Sequence, residues 1–524
     1  MYDFILSGGY VYDGLGNVPQ YEDIGIQGGR ITALGKLGGA ACHCKLNLKG
    51  RAVTPGFIDI HSHSDIYYLL DSSATSKIRQ GVTTEVIGNC GSSAAPLYGE
   101  YARVQRKRWA AVGVQLSWRS FRSYIQVLRD TGIAVNVVPL IGHGNIRGAV
   151  TGYNPGKATK KDLTGMRKLL RRGLKAGAFG LSSGLIYVPG MYAGTGELID
   201  LARLTGDYGG IYATHIRGEG DNLLIALGEA VLIAEKTGVS LQISHLKTGN
   251  RANWSKIEEA FFIIEQGQRR GVQITADRYP YIASSTDLDV ILPEWWHRMN
   301  YKKRHQWISN KQDTLAAVLT ETLPDNWADD IMVAHAPALG RLKIEGLYLS
   351  QIAARERLSP EKTMLRLLQK TDFQAQAIFF CMNAGNLNKI LRKPYVMIGS
   401  DSSLRTVQGR LRIGYPHPRT LGTFPRFLSK FTGKGKIPLA QAVYKITGLP
   451  AEKLGLKRRG RITKGAYADI VIFNPRRVRD TATYKKPFCY PEGIETVIVN
   501  GEIVFANGHK SGKLPGRVIL KTDL

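Results

Sequence analysis

The sequence lacks long hydrophobic runs and is poor in cysteine. No stretch approaches the roughly 18 apolar residues of a membrane-spanning helix, which argues against an integral membrane protein. The opening MYDFILSGGY lacks the basic and long apolar segments of a signal peptide. Five cysteines scattered over 524 residues do not make a disulfide framework. We therefore predict a cytoplasmic protein whose thiols stay reduced and free to bind metal.

Acidic residues are also scarce, with 42 carboxylates against 71 lysines and arginines and a net charge of +29. Such an excess can attract nucleic acid, anionic membranes or acidic small molecules. In the segment 157–177, however, the leucines lie on one helical stripe and the cations mostly on the other face. The other basic clusters lack interleaved aromatic side chains. We expect a solvated basic surface that binds anions nonspecifically, without a dedicated nucleic-acid or membrane partner.

Both ends of the chain are rich in short β-strand patterns punctuated by glycine. Near the end, Asn500-Gly501 lies between two β-rich runs and predicts a two-residue hairpin. We predict one composite β-sandwich domain built from residues 1–54 and 455–524.

The middle of the chain alternates apolar strand-like runs with helical stretches, which predicts an α/β fold with a parallel sheet. Eight of these runs end in or next to a polar residue, near His63, Cys90, His143, Ser183, His215, His245, Tyr279 and Asp401. Because eight strands make a (β/α)₈ barrel, we predict such a barrel over residues 55–454. Barrel chemistry collects at the carboxyl ends of the strands. A long stretch before the last strand, roughly 287–345, is predicted to be an insertion over the barrel mouth, with a possible extra strand at 330–335.

Metal-ligating residue types close several of these strands. His61 and His63 are two apart on one strand, so their side chains point the same way, about 7 Å apart. Cys90, His215, His245 and Asp401 close other strands. Each alone is more often structural, but their joint placement at strand ends predicts a metal site. Imidazole with thiolate favours zinc over magnesium or calcium.

Other histidines and cysteines receive weaker interpretations. His143 also ends a strand, but the following Gly144-Asn145-Ile146-Arg147 makes a loop or a substrate contact as reasonable as ligation. Cys42-His43-Cys44 is predicted to be a surface loop because no partner pair lies near it in sequence. His297 and His335 are not predicted as ligands.

Several motifs resemble known proteins. PGFIDIHSH at residues 55–63 resembles the first-strand signature of the amidohydrolase superfamily. GVTTEVIGNCG at 81–91 narrows the resemblance to the D-aminoacylase (N-acyl-D-amino-acid deacylase) family, as do GAFGLSSGL at 177–185, ISHLK at 243–247, DRYPY at 277–281 and GSD at 399–401. The match covers nearly the whole chain.

The resemblance implies a zinc amidohydrolase barrel with a small β-sandwich. The lysine that bridges two metals in many superfamily members is absent from the fourth strand, where Leu181-Ser182-Ser183-Gly184 stands. The family uses a cysteine instead, which Cys90 matches. The implied tight zinc site consists of Cys90, His215 and His245. A second, weaker site consists of His61, His63 and Asp401.

The expected reaction is hydrolysis of a small N-acyl-D-amino acid by zinc-activated water, with Asp401 as general base. The family resemblance assigns binding of the substrate carboxylate to Lys247, Tyr279 and Arg419, with Tyr187 and Thr286 as weaker additions. Arg278 and Arg419 suggest an acidic side chain such as D-Glu or D-Asp. The alternatives are another amidohydrolase acting on a related linear or cyclic amide or dipeptide, and a non-catalytic basic scaffold.

Overall fold

A computed structural model describes residues 1–337 and 339–524, and residue 338, within the predicted insertion, lies outside that part. Among the described residues, no helix is both long and apolar enough to cross a membrane.

Eight parallel strands surround the centre of the molecule. In order, they span Phe57–Asp59, Val82–Ile87, Asn136–Pro139 with Ile141–Gly142, Gly180–Gly184, Ile211–His215, Ser240–Ile243, Ile274–Arg278 and Val396–Ile398. The third strand is interrupted at Leu140. We call the eight strands barrel strands 1 to 8. Each pairs in parallel with its neighbour in the chain order. The barrel closes between strands 8 and 1, because Ser62 and Ser402 form a parallel bridge and Asp401 N donates to His61 O over 2.8 Å.

Helices cover the outside of the barrel, and they span Thr75–Ile78, Gly99–Ala111, Phe121–Thr131, His143–Thr151, Lys160–Lys175, Thr195–Asp207, Leu223–Thr237, Ile257–Arg269, Ala384–Arg392, Arg419–Lys430, Leu439–Ile446 and Gly448–Leu454. The helix Lys160–Lys175 has the predicted amphipathic arrangement: Met166, Leu170 and Leu174 are buried and most of its cations are exposed. Thr159 caps its first turn by accepting from Asp162 N.

The two chain ends form one nine-stranded sheet, with strands at Tyr2–Val11, Gln20–Gln27, Arg30–Gly35, Cys42–Asn47, Ala52–Pro55, Ile470–Phe473, Ile494–Val499, Glu502–Ala506 and His509–Lys510. The ends meet where Ala52–Pro55 pairs antiparallel with Ile470–Phe473. The predicted hairpin is present, since Val499 pairs with Glu502 across Asn500-Gly501. Both turn residues have positive φ, 49° and 85°, as a type I′ turn requires.

The prediction of a surface loop at Cys42-His43-Cys44 is wrong. These residues begin the strand Cys42–Asn47, which pairs in parallel with Tyr2–Val11. Side chains along the strand alternate between half-buried and exposed, the pattern of a strand with one covered face.

The insertion between barrel strands 7 and 8 has its own sheet and hydrophobic core. Three antiparallel strands, Ser284–Asp287, Gln376–Phe379 and Ile331–His335, are joined through the second of them. Its helices are Glu294–His297, Tyr301–Asn310, Gln312–Thr322, Leu349–Glu356 and Pro360–Lys370. The insertion therefore continues well beyond the predicted end at residue 345, because the middle strand of its sheet comes last in sequence.

Candidate metal centre

Four buried side chains converge at the carboxyl ends of the barrel strands. Ligand atoms of His61, Cys90, His245 and Asp401 all lie within 4.8 Å of one another. The Cys90 Sγ is 3.2 Å from His61 Nε2 and 3.5 Å from His245 Nε2. His61 Nε2 is 3.4 Å from Asp401 Oδ1. Donor atoms from barrel strands 1, 2, 6 and 8 thus face one small volume.

The backbone turns sharply at three of these residues. Cys90, His245 and Asp401 have positive φ values of 50°, 35° and 49°. Non-glycine residues in this region cost of the order of 1–3 kcal/mol each and cluster at functional sites. Beside Cys90, Gly91 has a φ of 74°, and a Cβ there would lie 2.6 Å from Gly184 N. Each turn directs a ligand atom inward just as its strand ends.

His63 and His215 lie at the edges of this cluster. His63 Nε2 is 3.1 Å from Asp401 Oδ1. The His215 ring centroid is 4.4 Å from that of His245. Neither ring nitrogen of His215 has a hydrogen-bond partner among the described residues, although both are buried. The six predicted ligands therefore form one continuous group, in which Cys90 of the predicted tight site contacts His61 of the predicted second site.

The charges of the cluster favour metal ligation. Burial opposes ionisation of Cys90, but the imidazoles of His61 and His245 hold the pKa of its thiol well below the usual value. The thiolate is the form that binds metal. Burial likewise opposes ionisation of Asp401, whose pKa the Arg419 guanidinium nevertheless holds well below its usual range. Thiolate, imidazole and carboxylate together suit zinc. The His215 imidazole, which has no hydrogen-bond partner in the described part of the chain, is a further candidate ligand.

Sequence reasoning missed two carboxylates beside the cluster, the buried Asp277 and the half-buried Glu219. Asp277 Oδ1 is 3.1 Å from His61 Nδ1 and accepts from His245 N over 2.9 Å. Glu219 Oε1 is 2.8 Å from His245 Nδ1. The only sequence signals were the position of Asp277 at the end of barrel strand 7 and the four-residue spacing from His215 to Glu219.

A cavity of about 2310 Å³ opens above the cluster. It is lined by all five predicted substrate-binding residues, Lys247, Tyr279, Arg419, Tyr187 and Thr286. Arg419 Nη1 is 2.8 Å from Asp401 Oδ2. The Tyr279 hydroxyl is buried and has no hydrogen-bond partner among the described residues. Tyr187 Oη lies 3.0 Å from Thr286 Oγ1.

Two other polar residues of interest point elsewhere. Arg278 is fully buried and donates to Tyr281 O over 2.8 Å, and it is not among the described residues that line the cavity. It therefore gives no support to an acidic substrate side chain. His143 is buried, with Nε2 2.8 Å from Glu197 Oε1, which is a structural contact away from the ligand cluster.

Comparisons with known proteins agree with this architecture. Residues 46–505 match the model of the amidohydrolase family. D-aminoacylase of Alcaligenes xylosoxydans xylosoxydans is 35% identical over 522 residues, covering 99% of this chain and 98% of that protein. N-acyl-D-glutamate deacylase of the same organism is 34% identical over 523 residues, covering 99% and 96%.

A solved structure extends the likeness to three dimensions. The N-acyl-D-glutamate deacylase of Bordetella bronchiseptica, complexed with zinc and a phosphonate mimic of the tetrahedral intermediate, superposes with a TM-score of 0.84 at 32% identity over 99% of both chains. The predicted barrel fold is confirmed by this match and by the strand order. The chain belongs to the amidohydrolase family, in its D-aminoacylase group.

Proposed function

We propose that this protein hydrolyses N-acyl-D-amino acids to a carboxylate and a free D-amino acid, with zinc as cofactor. One observation carries the proposal: the thiolate, imidazole and carboxylate donors converge at the base of a cavity that Arg419 and Tyr279 also line. The similar proteins are named D-aminoacylase and N-acyl-D-glutamate deacylase. The zinc and phosphonate complex of the Bordetella bronchiseptica N-acyl-D-glutamate deacylase supports the same chemistry.

The six predicted ligands divide into two sets of three. We assign the tighter site to Cys90, His215 and His245, and a second site to His61, His63 and Asp401. These residues would hold zinc, which would supply a bound water with a pKa of about 7 and a Lewis acid for the scissile carbonyl. The chain itself must position the substrate and move the proton.

Asp401 is the proposed general base. Its carboxylate lies in the ligand cluster, and the low pKa produced by Arg419 keeps it ionised and able to accept a proton from the attacking water. It then donates that proton to the nitrogen of the departing amine. A correctly placed general acid–base group typically contributes 10²–10⁴-fold to the rate.

Arg419, Tyr279 and Lys247 are the proposed contacts of the substrate α-carboxylate. A guanidinium binds a carboxylate through two parallel hydrogen bonds. The buried Tyr279 hydroxyl, which bonds to none of the residues that the structure describes, can donate a third. The Tyr187 and Thr286 hydroxyls, which bond to each other, are the proposed polar contacts at the His215 side of the cavity, since the Tyr187 ring lies 5.1 Å from that imidazole.

A substrate panel tests the proposal. N-acetyl derivatives of D- and L-leucine, glutamate and aspartate, together with a hydantoin and a dipeptide, are assayed after metal removal and again after zinc is restored. We expect only the D-derivatives to be hydrolysed, and only with zinc. Cys90→Ser should abolish stoichiometric zinc binding, whereas the control Cys489→Ser, outside the cavity-lining residues described, should not. Hydrolysis of the cyclic amide or dipeptide instead, or inactivity of a zinc-loaded protein on every D-derivative, would contradict it.

A further inference from the structure

Glu219 occupies a central position between two of the proposed zinc ligands. It lies on the loop after barrel strand 5, four residues beyond His215, and its side chain is 18% exposed. Its Oε1 is 2.8 Å from His245 Nδ1, and its Oε2 is 3.6 Å from His215 Nε2. One carboxylate therefore faces a ring nitrogen of each imidazole.

For His245, the contact with Glu219 determines which nitrogen faces the metal cluster. Its Nε2 lies 3.5 Å from Cys90 Sγ, while Nδ1 points to the carboxylate on the opposite side of the ring. A neutral imidazole has one donor and one acceptor nitrogen. Metal ligation through Nε2 requires the proton to be on Nδ1, where Glu219 Oε1 is the available acceptor. The Lys247 ammonium beside Nδ1 has no acceptor atom, so in that tautomer it bonds to the same carboxylate.

The carboxylate also compensates a buried cation. Lys247 is 5% exposed, and its Nζ donates to Glu219 Oε1 and lies 2.9 Å from His245 Nδ1. A buried ammonium without a counter-charge is strongly unfavourable. Glu219 thus connects the imidazole side of the cluster to a residue that we assign to the substrate carboxylate.

The surrounding loops hold Glu219 in place. Its carbonyl oxygen accepts from Gly249 N over 2.6 Å. Two residues farther on, Asp221 Oδ1 accepts from Asn253 Nδ2 over 2.9 Å. The loop after barrel strand 5 is thereby joined to the loop after barrel strand 6, which carries Lys247. Side chains fixed by such supporting bonds keep a site in its productive geometry.

We propose that Glu219 is a positioning residue that orients the His215 and His245 imidazoles toward the metal and holds Lys247 at the cavity wall. Through these contacts it couples metal affinity to binding of the substrate carboxylate. The identity of the metal and of the substrate rests on the proposed function. Loss of an outer partner of a metal-ligating histidine typically lowers metal affinity or activity 10–100-fold.

The test uses Glu219→Gln, with Glu235→Gln as the matched control. Glu235 pairs with Arg270 at the protein surface and is not among the described residues that line the cavity. Zinc affinity is measured by competition with a chromogenic chelator, and the Co²⁺-substituted protein is examined by visible absorption. We expect E219Q to bind zinc 10–100-fold more weakly, to show an altered Co²⁺ spectrum and to have a raised KM, while E235Q matches the wild type.

Glu219→Asp keeps the charge but withdraws the carboxylate by one methylene, so it provides the test if E219Q does not fold. We expect it to bind zinc with an affinity below that of the wild type while retaining a wild-type circular dichroism spectrum. Wild-type zinc affinity, Co²⁺ spectrum and KM in a folded variant would overturn the inference and leave the proposed function intact. A wild-type protein that binds no zinc would instead contradict the proposed function.

Discussion

Replacement of Lys77 by methionine should destabilise the barrel at the point where it closes. Lys77 is fully buried on the short helix Thr75–Ile78. Its Nζ is 2.8 Å from Asp59 Oδ2, 2.9 Å from Glu85 Oε1 and 2.9 Å from Ser400 Oγ. The two carboxylates and the hydroxyl come from barrel strand 1, barrel strand 2 and the end of barrel strand 8. A single ammonium therefore joins three strands directly below the ligand cluster.

The size of the effect follows from the two carboxylates that would lose their cation. Removing one partner of a buried ion pair costs about 3–5 kcal/mol, because the remaining charge is left uncompensated. Asp59 and Glu85 are both fully buried, so we expect the upper end of that range. With an unfolding entropy of about 2.1 cal/mol/K per residue, about 5 kcal/mol lowers the Tm of a cooperatively unfolding chain of 524 residues by about 4–5 °C.

Scanning calorimetry of the zinc-loaded protein at neutral pH measures this shift. Lys168→Met, on the exposed face of the helix Lys160–Lys175, is the control and should change stability by no more than about 0.5 kcal/mol. Adding Glu85→Gln to Lys77→Met should recover part of the loss, since it removes one uncompensated charge. If Lys77→Met and Lys168→Met melt at the same temperature, the reasoning about the buried cation is wrong.

Three further predictions concern the site and the barrel. Asp401→Asn should lower kcat 10²–10⁴-fold with an unchanged circular dichroism spectrum, as expected for loss of a general base, and near-normal turnover would contradict that role. Gly91→Ala places a Cβ 2.6 Å from Gly184 N at a φ of 74°. Because Gly91 follows Cys90, the variant should displace the Cys90 turn and lower both Tm and zinc content. A wild-type zinc content would contradict this. Burial lowers the pKa of Lys453 to about 7. The unfolded chain then binds more protons between about pH 7 and 10, and stability should rise with pH across this window. In Lys453→Met, the urea-unfolding midpoint should rise less with pH than in the wild type, because the titrating amine is gone. If the midpoints of the two proteins change with pH in parallel, the prediction is wrong.

The barrel was predictable because each of its strands is marked by a pattern of residues that are adjacent in sequence. Each strand is a short apolar run, and residues such as His215 and His245 directly follow or close such runs. The end of the insertion was not predictable in this way. Its strand Gln376–Phe379 pairs with two strands far earlier in the chain, and antiparallel pairing at such distance leaves no local pattern. The strand Cys42–Asn47 was missed because its parallel partner, Tyr2–Val11, is also distant in sequence.

The candidate ligands were visible as residue types at strand ends, but the groups that orient them were not. Glu219 and Asp277 are ordinary carboxylates in the sequence. Their importance appears only from which imidazole nitrogen each one faces. Arg278 was predicted to favour an acidic substrate side chain, but it is not among the described residues that line the cavity. It neighbours Asp277 in sequence, and successive side chains on a strand point in opposite directions.

Three carboxylates build the ligand geometry by spanning separate strands. Asp59 accepts from His61 N and Ser400 N over 3.3 and 2.8 Å, which fixes barrel strand 1 against strand 8. Asp277 contacts both His61 Nδ1 and His245 N. Glu219 faces the imidazoles of His215 and His245. These hydrogen bonds connect the ligand residues to neighbouring strands. Since the positive-φ turns at the ligands are unfavourable in isolation, these carboxylate contacts, together with strand pairing, are what hold the ligand atoms in place for the metal.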